Sequence, residues 1–154
     1  MYYRPTPIMT EEWELRFLAL AGQIASWSKD PSTKVGAVIV REDRTIASVG
    51  YNGFPRGVKD TPAVYADRPQ KLLRTVHAEM NAILSAREPL KHCYLFVSPL
   101  FPCATCAGAI VQSGIQRVVA RMGTLPEAWQ DSFAATREMF DQSGVDYSIY
   151  PLAV

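Results

Sequence analysis

The sequence has few sulfur and imidazole ligands and almost no net charge, and both shortages exclude classes of protein. It contains three cysteines and two histidines. An odd cysteine count, with two of the three only three residues apart, argues against the disulfide framework of a secreted domain. The sequence contains sixteen Lys and Arg residues and fifteen Asp and Glu residues, which gives a net charge of +1. A protein that binds nucleic acid regardless of sequence usually needs a basic face, so we expect no nucleic-acid partner.

Long apolar runs are also missing. The longest, Val35 to Val40 including Gly36, has six residues, far short of a membrane span. No basic and then apolar leader precedes Thr10, so we expect no secretory signal and no membrane partner. These absences favour a cytoplasmic protein, in the host cytoplasm if a phage encodes it.

What is present fits one globular domain. The chain has 154 residues, of which 48% are hydrophobic, enough for one sizeable core but hardly for two. Residues 1–9 hold two prolines and no periodicity. We therefore expect an extended N-terminal arm over residues 1–9 and a single domain over residues 10–154.

The order of helical and strand patterns predicts an α/β fold. Thr10 precedes a helical pattern, and the β-branched runs Val35–Val40 and Thr45–Val49 flank a charged turn typical of a hairpin. The next segment contains Pro62 and Pro69, so we expect it to be irregular or only briefly helical. Helices then alternate with short strands to the end of the sequence. This order indicates a three-layer α/β/α sandwich.

One histidine and two cysteines have the spacing of a metal site. His77 begins one predicted helix, and Cys103 and Cys106 begin the next. The first helix advances about 15 Å and the strand after it can return over about 20 Å, which brings both helix starts together. Three protein ligands leave a fourth position open, as in catalytic zinc sites. Cys93 and His92 fall at the far end of that strand, so we expect Cys93 to be a buried apolar residue.

Glu79 lies two residues after His77, within reach of a water on that metal. Alone, an acidic residue in a first helical turn is explained by the helix dipole. Beside three zinc ligands it fits a general acid and base. The pairing of His-x-Glu with Pro-Cys-x-x-Cys is the signature of zinc deaminases.

Over about residues 18–144 the sequence resembles the cytidine/deoxycytidylate deaminase superfamily, and most closely its dCMP deaminase branch. The zinc motif identifies only the superfamily, whereas the blocks with Asp-Pro-Ser-Thr and Gly-Tyr-Asn-Gly narrow the resemblance to that branch. The matching blocks are Ser28 to Ala37, Gly50 to Pro55, His77 to Leu84, Leu100 to Cys103 and Gln112 to Ile115. The resemblance implies the cytidine deaminase-like fold with a mixed five-stranded sheet.

The resemblance also implies an activity, the hydrolysis of dCMP to dUMP and ammonia in pyrimidine nucleotide metabolism. Water activated by zinc would attack C4 of cytosine while Glu79 carries protons to N3 and to the departing amine. In similar enzymes the asparagine at the position of Asn52 holds the deoxyribose, and the backbone at Ala78 holds the base carbonyl. Phe101 is expected to pack against the ring.

The 5′-phosphate needs cationic or hydroxyl donors. The block Ser28 to Ala37 varies with substrate class in similar enzymes and suggests three candidates. These are Ser28, Lys29 and Lys34. A solvated loop explains the two lysines nearly as well.

Assembly and regulation are likewise implied by the resemblance alone. Many dCMP deaminases are hexamers that dCTP activates and dTTP inhibits, with Mg²⁺ accompanying the triphosphate. The loop concerned corresponds to Gly50, Tyr51, Asn52 and Gly53. Residues 53–76 contain no Cys or His, so we expect one zinc per chain without a second, structural one.

Three alternatives remain open from the sequence. The substrate could be another cytosine nucleotide or nucleoside, a 5-substituted dCMP or guanine. A nucleic-acid deaminase of the tRNA adenosine type shares the zinc motif but should carry a basic face. A non-enzymatic zinc module would need a closed coordination sphere.

Overall fold

The computed structural model describes residues 9–152 of the chain, which form a mixed five-stranded sheet covered by helices on both faces. Of the predicted arm over residues 1–9, only Met9 falls within the described residues. The elements in chain order are α1 Glu11–Ala25, β1 Gly36–Val40, β2 Ile46–Tyr51, α2 Pro62–Ala66, α3 Arg68–Arg74, α4 Ala78–Ser85, β3 Tyr94–Ser98, α5 Ala104–Ser113, β4 Arg117–Arg121, α6 Gln130–Ser143 and β5 Asp146–Tyr150. A short 3₁₀ turn, Glu127–Trp129, precedes α6.

The strands lie in the order β2-β1-β3-β4-β5. Strand β1 pairs antiparallel with β2 and β3, whereas β3, β4 and β5 run parallel. The predicted hairpin is therefore β1 and β2, and the later strands are joined by helical crossovers. Strand β3 is buried along its whole length because it lies at the centre of the sheet, between β1 and β4, with helices on both faces.

Two apolar clusters cover the two faces of the sheet. Alternate residues of β1 point to opposite sides: Ala37 and Ile39 belong to one cluster, and Val38 and Val40 to the other. The first cluster includes residues of α4, α5 and α6, while α1 is the helix that closes the second cluster within residues 9–152. These layers confirm the predicted α/β/α sandwich, and a single domain over residues 10–154 stays a prediction.

Helix boundaries follow local chemistry. Thr10 caps α1 by accepting a hydrogen bond from the backbone N–H of Trp13 at 3.4 Å, as a threonine at this position commonly does. Helix α5 ends at Gly114, whose φ of +83° suits a residue without a Cβ.

The proline-rich segment forms two short helices, α2 and α3. Pro62 and Pro69 lie in the first turns of these helices, where a missing N–H costs nothing. The prolines therefore begin helices rather than interrupt them.

Buried ionic contacts tie the ends of the chain together. Glu14 on α1 accepts hydrogen bonds from the guanidinium of Arg117 on β4 at 3.0 Å and from the hydroxyl of Tyr150 on β5 at 3.0 Å. Arg117 also donates to Asp146 and Ser148 of β5. None of the helices within residues 9–152 is long and apolar enough to cross a membrane.

Candidate active site

The amino-terminal ends of α4 and α5 meet above the sheet. His77 immediately precedes α4, and Cys103 immediately precedes α5. The Nδ1 atom of His77 lies 3.4 Å from the Sγ atom of Cys103 and 3.4 Å from that of Cys106. The structure thus brings together the three residues that the sequence assigns to a metal.

The donor set of this cluster fits zinc. Within residues 9–152, these three ligand atoms form a group lying within 4.8 Å of one another. One imidazole nitrogen and two sulfurs are ligands that Zn²⁺ prefers, at distances of about 2.0–2.3 Å. Cys93 lies elsewhere, in the core with Leu90 and Leu95, as expected for a buried apolar residue.

The two thiols share one proton. The pKa of Cys103 is lowered to about 4 because Cys106 donates a hydrogen bond to its thiolate and His77 adds a second favourable interaction. The pKa of Cys106 is raised because its thiol holds the proton of the hydrogen bond to Cys103 and because burial disfavours a second thiolate. The pKa of His77 is raised above its ordinary value, mainly by its hydrogen bond to Cys103. A cation bound among these atoms would replace the shared proton.

Helix α6 holds the loop that carries Cys103. The Thr136 hydroxyl donates a hydrogen bond to the Pro102 carbonyl at 2.9 Å, and the Ser132 hydroxyl accepts one from the Ala104 N–H at 2.9 Å. The N–H of Ala104 is one of the donors that a helix start leaves without an internal partner. Both contacts fix the position of Cys103 from outside the cluster.

Glu79 lies in the first turn of α4 with 4% of its surface exposed. Burial is the main influence on this carboxyl group and raises its pKa to about 7, although the charge of His77 acts in the opposite direction. A group with a pKa near neutrality can both accept and release a proton at physiological pH.

A cavity of about 230 Å³ opens beside the cluster. His77, Ala78, Glu79 and Cys103 form one part of its wall. The remainder comes from the loop after α1, from Asn52, from α3 and the residue after it, from the loop between β3 and α5, and from the segment that joins β4 to α6 together with the first turn of α6. These other lining residues are Asp30, Ser32, Thr33, Val35, Asn52, Arg68, Lys71, Leu72, Thr75, Leu100, Phe101, Pro126, Trp129 and Phe133.

Asn52 reaches the cavity but also supports its wall. Its Oδ1 atom accepts a hydrogen bond from the Val35 N–H at 2.8 Å, and its Nδ2 atom donates one to the Thr33 carbonyl at 2.9 Å. The Nδ2 atom of Asn52 carries a second hydrogen, for which these two hydrogen bonds provide no acceptor. Phe101 is 2% exposed and also packs edge-on against Phe133 and Phe140.

The three residues expected to bind phosphate do not line the cavity. The Ser28 hydroxyl is buried and donates a hydrogen bond to the Asn52 carbonyl at 2.8 Å. Lys29 turns outward and forms an exposed ion pair with Asp60 at 2.9 Å. Lys34 is exposed outside the cavity. The loop thus directs these three side chains to a backbone contact or to solvent, and their role in binding phosphate stays a prediction.

The loop proposed for effectors is joined to the active site. Gly53 and Val76 exchange two backbone hydrogen bonds, next to His77. The Asn81 side chain on α4 donates a hydrogen bond to the Tyr51 carbonyl at 2.8 Å.

Sequence reasoning missed the cavity residues Arg68, Lys71 and Leu72 of α3, and Thr75, which directly follows this helix. A signal was available, because Pro69 followed by three helix-favouring residues is a normal helix start. Trp129, in the 3₁₀ turn, also lines the cavity. It was missed because no motif in the neighbouring sequence indicates a site there.

Comparison with known proteins agrees with this geometry. The family model for the cytidine and deoxycytidylate deaminase zinc-binding region matches residues 11–122. An uncharacterized deaminase in the luxG 3′ region of Aliivibrio fischeri is 43% identical over 148 residues, covering 95% of this chain and 99% of the relative. Human deoxycytidylate deaminase is 37% identical over 144 residues, covering 88% of this chain and 78% of the human protein.

A solved structure has the same fold. The dCMP deaminase of cyanophage S-TIM5 in its apo form superposes with a TM-score of 0.71 at 24% identity. The superposition covers 92% of this chain and 99% of the phage chain.

Proposed function

The chain belongs to the cytidine and deoxycytidylate deaminase family, and on that premise we propose that it hydrolyses dCMP to dUMP and ammonia. The observation that carries the proposal is the convergence of His77, Cys103 and Cys106 beside buried Glu79, in one wall of a cavity. The similarity to deoxycytidylate deaminases over most of the chain supports cytosine in a deoxynucleotide as the substrate.

The family model and the His/Cys/Cys group support zinc as the cofactor, and we propose that His77, Cys103 and Cys106 hold it. Zinc bound by these residues would supply Lewis-acid activation of the attacking water. The proposal of one zinc per chain is supported by the single group of three such residues within positions 9–152.

Glu79 is the proposed proton carrier. Its carboxylate accepts a proton from the attacking water and delivers it to N3 of cytosine. It then accepts the proton of the C4 hydroxyl formed by that addition and delivers it to the amine that leaves from C4. A pKa raised to about 7 by burial makes both directions accessible near neutral pH. Water adds to C4, the C4–N bond breaks, and ammonia and dUMP result.

Three further residues are proposed to orient the nucleotide. Ala78 begins α4, so its backbone N–H has no partner within the helix and is free to donate to the cytosine carbonyl. Asn52 would donate its second Nδ2 hydrogen to the deoxyribose. Phe101 would close the cavity against the cytosine ring.

Two further proposals concern regulation by nucleotides and assembly into an oligomer. Effector triphosphates such as dCTP and dTTP, with Mg²⁺, would act at the loop of Gly50, Tyr51, Asn52 and Gly53. The hydrogen bonds from this loop to Val76 and Asn81 support that proposal, because a ligand there would move α4. We also propose a homo-oligomer, a hexamer by resemblance. A cytoplasmic location is supported by the need to keep the two thiol ligands reduced.

The test is ammonia release by the zinc-loaded protein from dCMP, 5-methyl-dCMP, CMP and deoxycytidine, with and without dCTP or dTTP. We expect dCMP, with or without a C5 substituent, to be the preferred substrate. No ammonia from dCMP at full zinc occupancy would overturn the proposal. Equal or greater activity on deoxycytidine would instead favour a nucleoside deaminase.

A further inference from the structure

The cavity has a cationic end as well as a catalytic one. Of its lining residues outside the His77 cluster, Arg68 and Lys71 are the ones that carry a positive charge, and both belong to α3. Helix α3 rises about 9 Å from Arg68 to Arg74. The chain then passes through Thr75, which also lines the cavity, to His77. Arg68 therefore stands at the end of α3 that is farther from the catalytic cluster.

Lys71 has its charge neutralised by a buried partner. Its Nζ atom lies 2.8 Å from Oδ1 of Asp30, and the two side chains are 8% and 4% exposed. The same Asp30 oxygen accepts hydrogen bonds from the backbone N–H groups of Ser32 and Thr33. This pair fixes α3 against the loop that forms the adjacent wall of the cavity.

Arg68 has no such counter-charge. Within residues 9–152 its guanidinium forms no ion pair or hydrogen bond, although it lines the cavity. The nearest carboxylate in sequence, Asp67, is occupied at the start of α3, where it accepts from the Gln70 N–H at 3.3 Å. An unpaired guanidinium beside a cavity is free to bind an anion from solution.

We propose that Arg68 binds the 5′-phosphate of the nucleotide and thereby distinguishes dCMP from deoxycytidine. In a mononucleotide the phosphate and the base are attached to different ends of the sugar, and the cavity is lined by both Arg68 and Glu79. The planar guanidinium pairs with two phosphate oxygens at once. This inference rests on the proposed function, and it assigns the phosphate to a helix rather than to Lys29 or Lys34.

The experiment compares the wild type with Arg68→Gln, Arg68→Lys and the control Arg87→Gln, all zinc-loaded. Arg87 is an exposed arginine outside the cavity, so its substitution makes the same change in charge. Two quantities are measured for each protein. The first is kcat and KM for dCMP and for deoxycytidine, and the second is the affinity for dUMP and for deoxyuridine by calorimetry.

We expect Arg68→Gln to weaken dUMP binding and to raise KM for dCMP by about 10- to 100-fold, the usual range for a lost hydrogen bond to a charged group. Deoxycytidine kinetics and deoxyuridine affinity should not change. Arg68→Lys should recover part of the loss, and Arg87→Gln should match the wild type.

Two results would overturn the assignment. One is an equal loss for dCMP and deoxycytidine, which indicates a structural role. The other is an unchanged affinity for dUMP, above all if Lys34→Gln weakens it instead. A wild type that deaminates nothing overturns the proposed function, whereas the dUMP and deoxyuridine titrations still decide the role of Arg68.

Discussion

Gly50 on β2 lies directly against the backbone of α4 at Ala78. A Cβ at position 50 would stand 2.4 Å from the Ala78 carbonyl oxygen and 2.4 Å from the Ala82 backbone nitrogen. Because both neighbours are backbone atoms, no side-chain rotation relieves the overlap. The glycine of the Gly-Tyr-Asn-Gly block is therefore required for the helix that carries Glu79 to approach the sheet.

Replacing this glycine should displace α4. We expect Gly50→Ala to lower the free energy of unfolding by about 1–3 kcal/mol or more, as overpacking in a core does, and to reduce kcat. Gly22→Ala on α1 is the matched control, because nothing lies within 4 Å of a Cβ there. It should be neutral or should stabilise by up to about 1 kcal/mol. Thermal unfolding of both variants tests the contrast, and equal melting temperatures would contradict it.

Removing the carboxylate of Glu79 should separate metal binding from turnover. Glu79→Gln keeps the size of the side chain but cannot carry a proton, so we expect kcat for dCMP to fall by about 10²–10⁴-fold. Zinc content, measured by elemental analysis, should remain at the wild-type level. A variant that keeps zinc and full turnover would exclude Glu79 as the proton carrier and would favour a non-enzymatic metal site.

Substitution of Cys106, with Cys93 as the matched control, tests the assignment of the metal ligands. Cys106→Ala should lose zinc and lower the melting temperature, because metal binding contributes to folding stability. Cys93→Ala also removes a thiol from the apolar core that contains Cys106, but Cys93 is not one of the metal ligands. This variant should therefore keep one zinc per chain. A chelator should then destabilise the wild type and Cys93→Ala, and leave Cys106→Ala unchanged. Zinc retained by Cys106→Ala would contradict the ligand assignment.

The ion pair of Asp30 and Lys71 should make stability depend on pH. Burial alone would raise the pKa of Asp30, but hydrogen bonds from Lys71, Ser32 and Thr33 outweigh it and hold the pKa below its ordinary value. A carboxyl group with a lowered pKa stabilises the fold above its unfolded-state pKa of about 4, and this contribution is lost as the pH falls further.

Asp30→Asn leaves Lys71 buried without a counter-charge, which should cost about 3–5 kcal/mol at pH 7. The difference between this variant and the wild type should shrink as the pH falls below about 4. The free energy of unfolding of both proteins is measured with denaturant at several pH values above and below about 4. Because other titrating groups are the same in both proteins, their effects cancel in the difference. Asp141→Asn, an exposed position on α6, should show no comparable loss. A difference that does not vary with pH would refute the role of the pair.

Much of the fold and the metal cluster could be predicted because the signals are local. The run Val35–Val40 marks a buried strand by its β-branched residues, and His77 and Cys103 each begin a helix at a recognisable spacing. Their meeting point follows from the lengths of one helix and one strand. No long-range information is needed for these steps.

The cationic end of the cavity could not be predicted in the same way. Lys29 stands in a characteristic block of sequence, yet tertiary structure turns it toward Asp60. The charge of Lys71 is neutralised by Asp30, 41 residues away in the sequence, and Arg68 lines the cavity from the same helix. Sequence proximity to a motif says little about where a long side chain points, since that depends on contacts formed after folding.

The buried contact of Glu14 with Arg117 and Tyr150 has a consequence for synthesis on the ribosome. It joins residues 103 and 136 positions apart, so α1 cannot make this contact until β4 and β5 have emerged. Contacts this distant in sequence form late, and an unfinished chain leaves apolar surface uncovered. A newly made N-terminal half therefore carries the Glu14 carboxylate without these two partners until β4 and β5 follow.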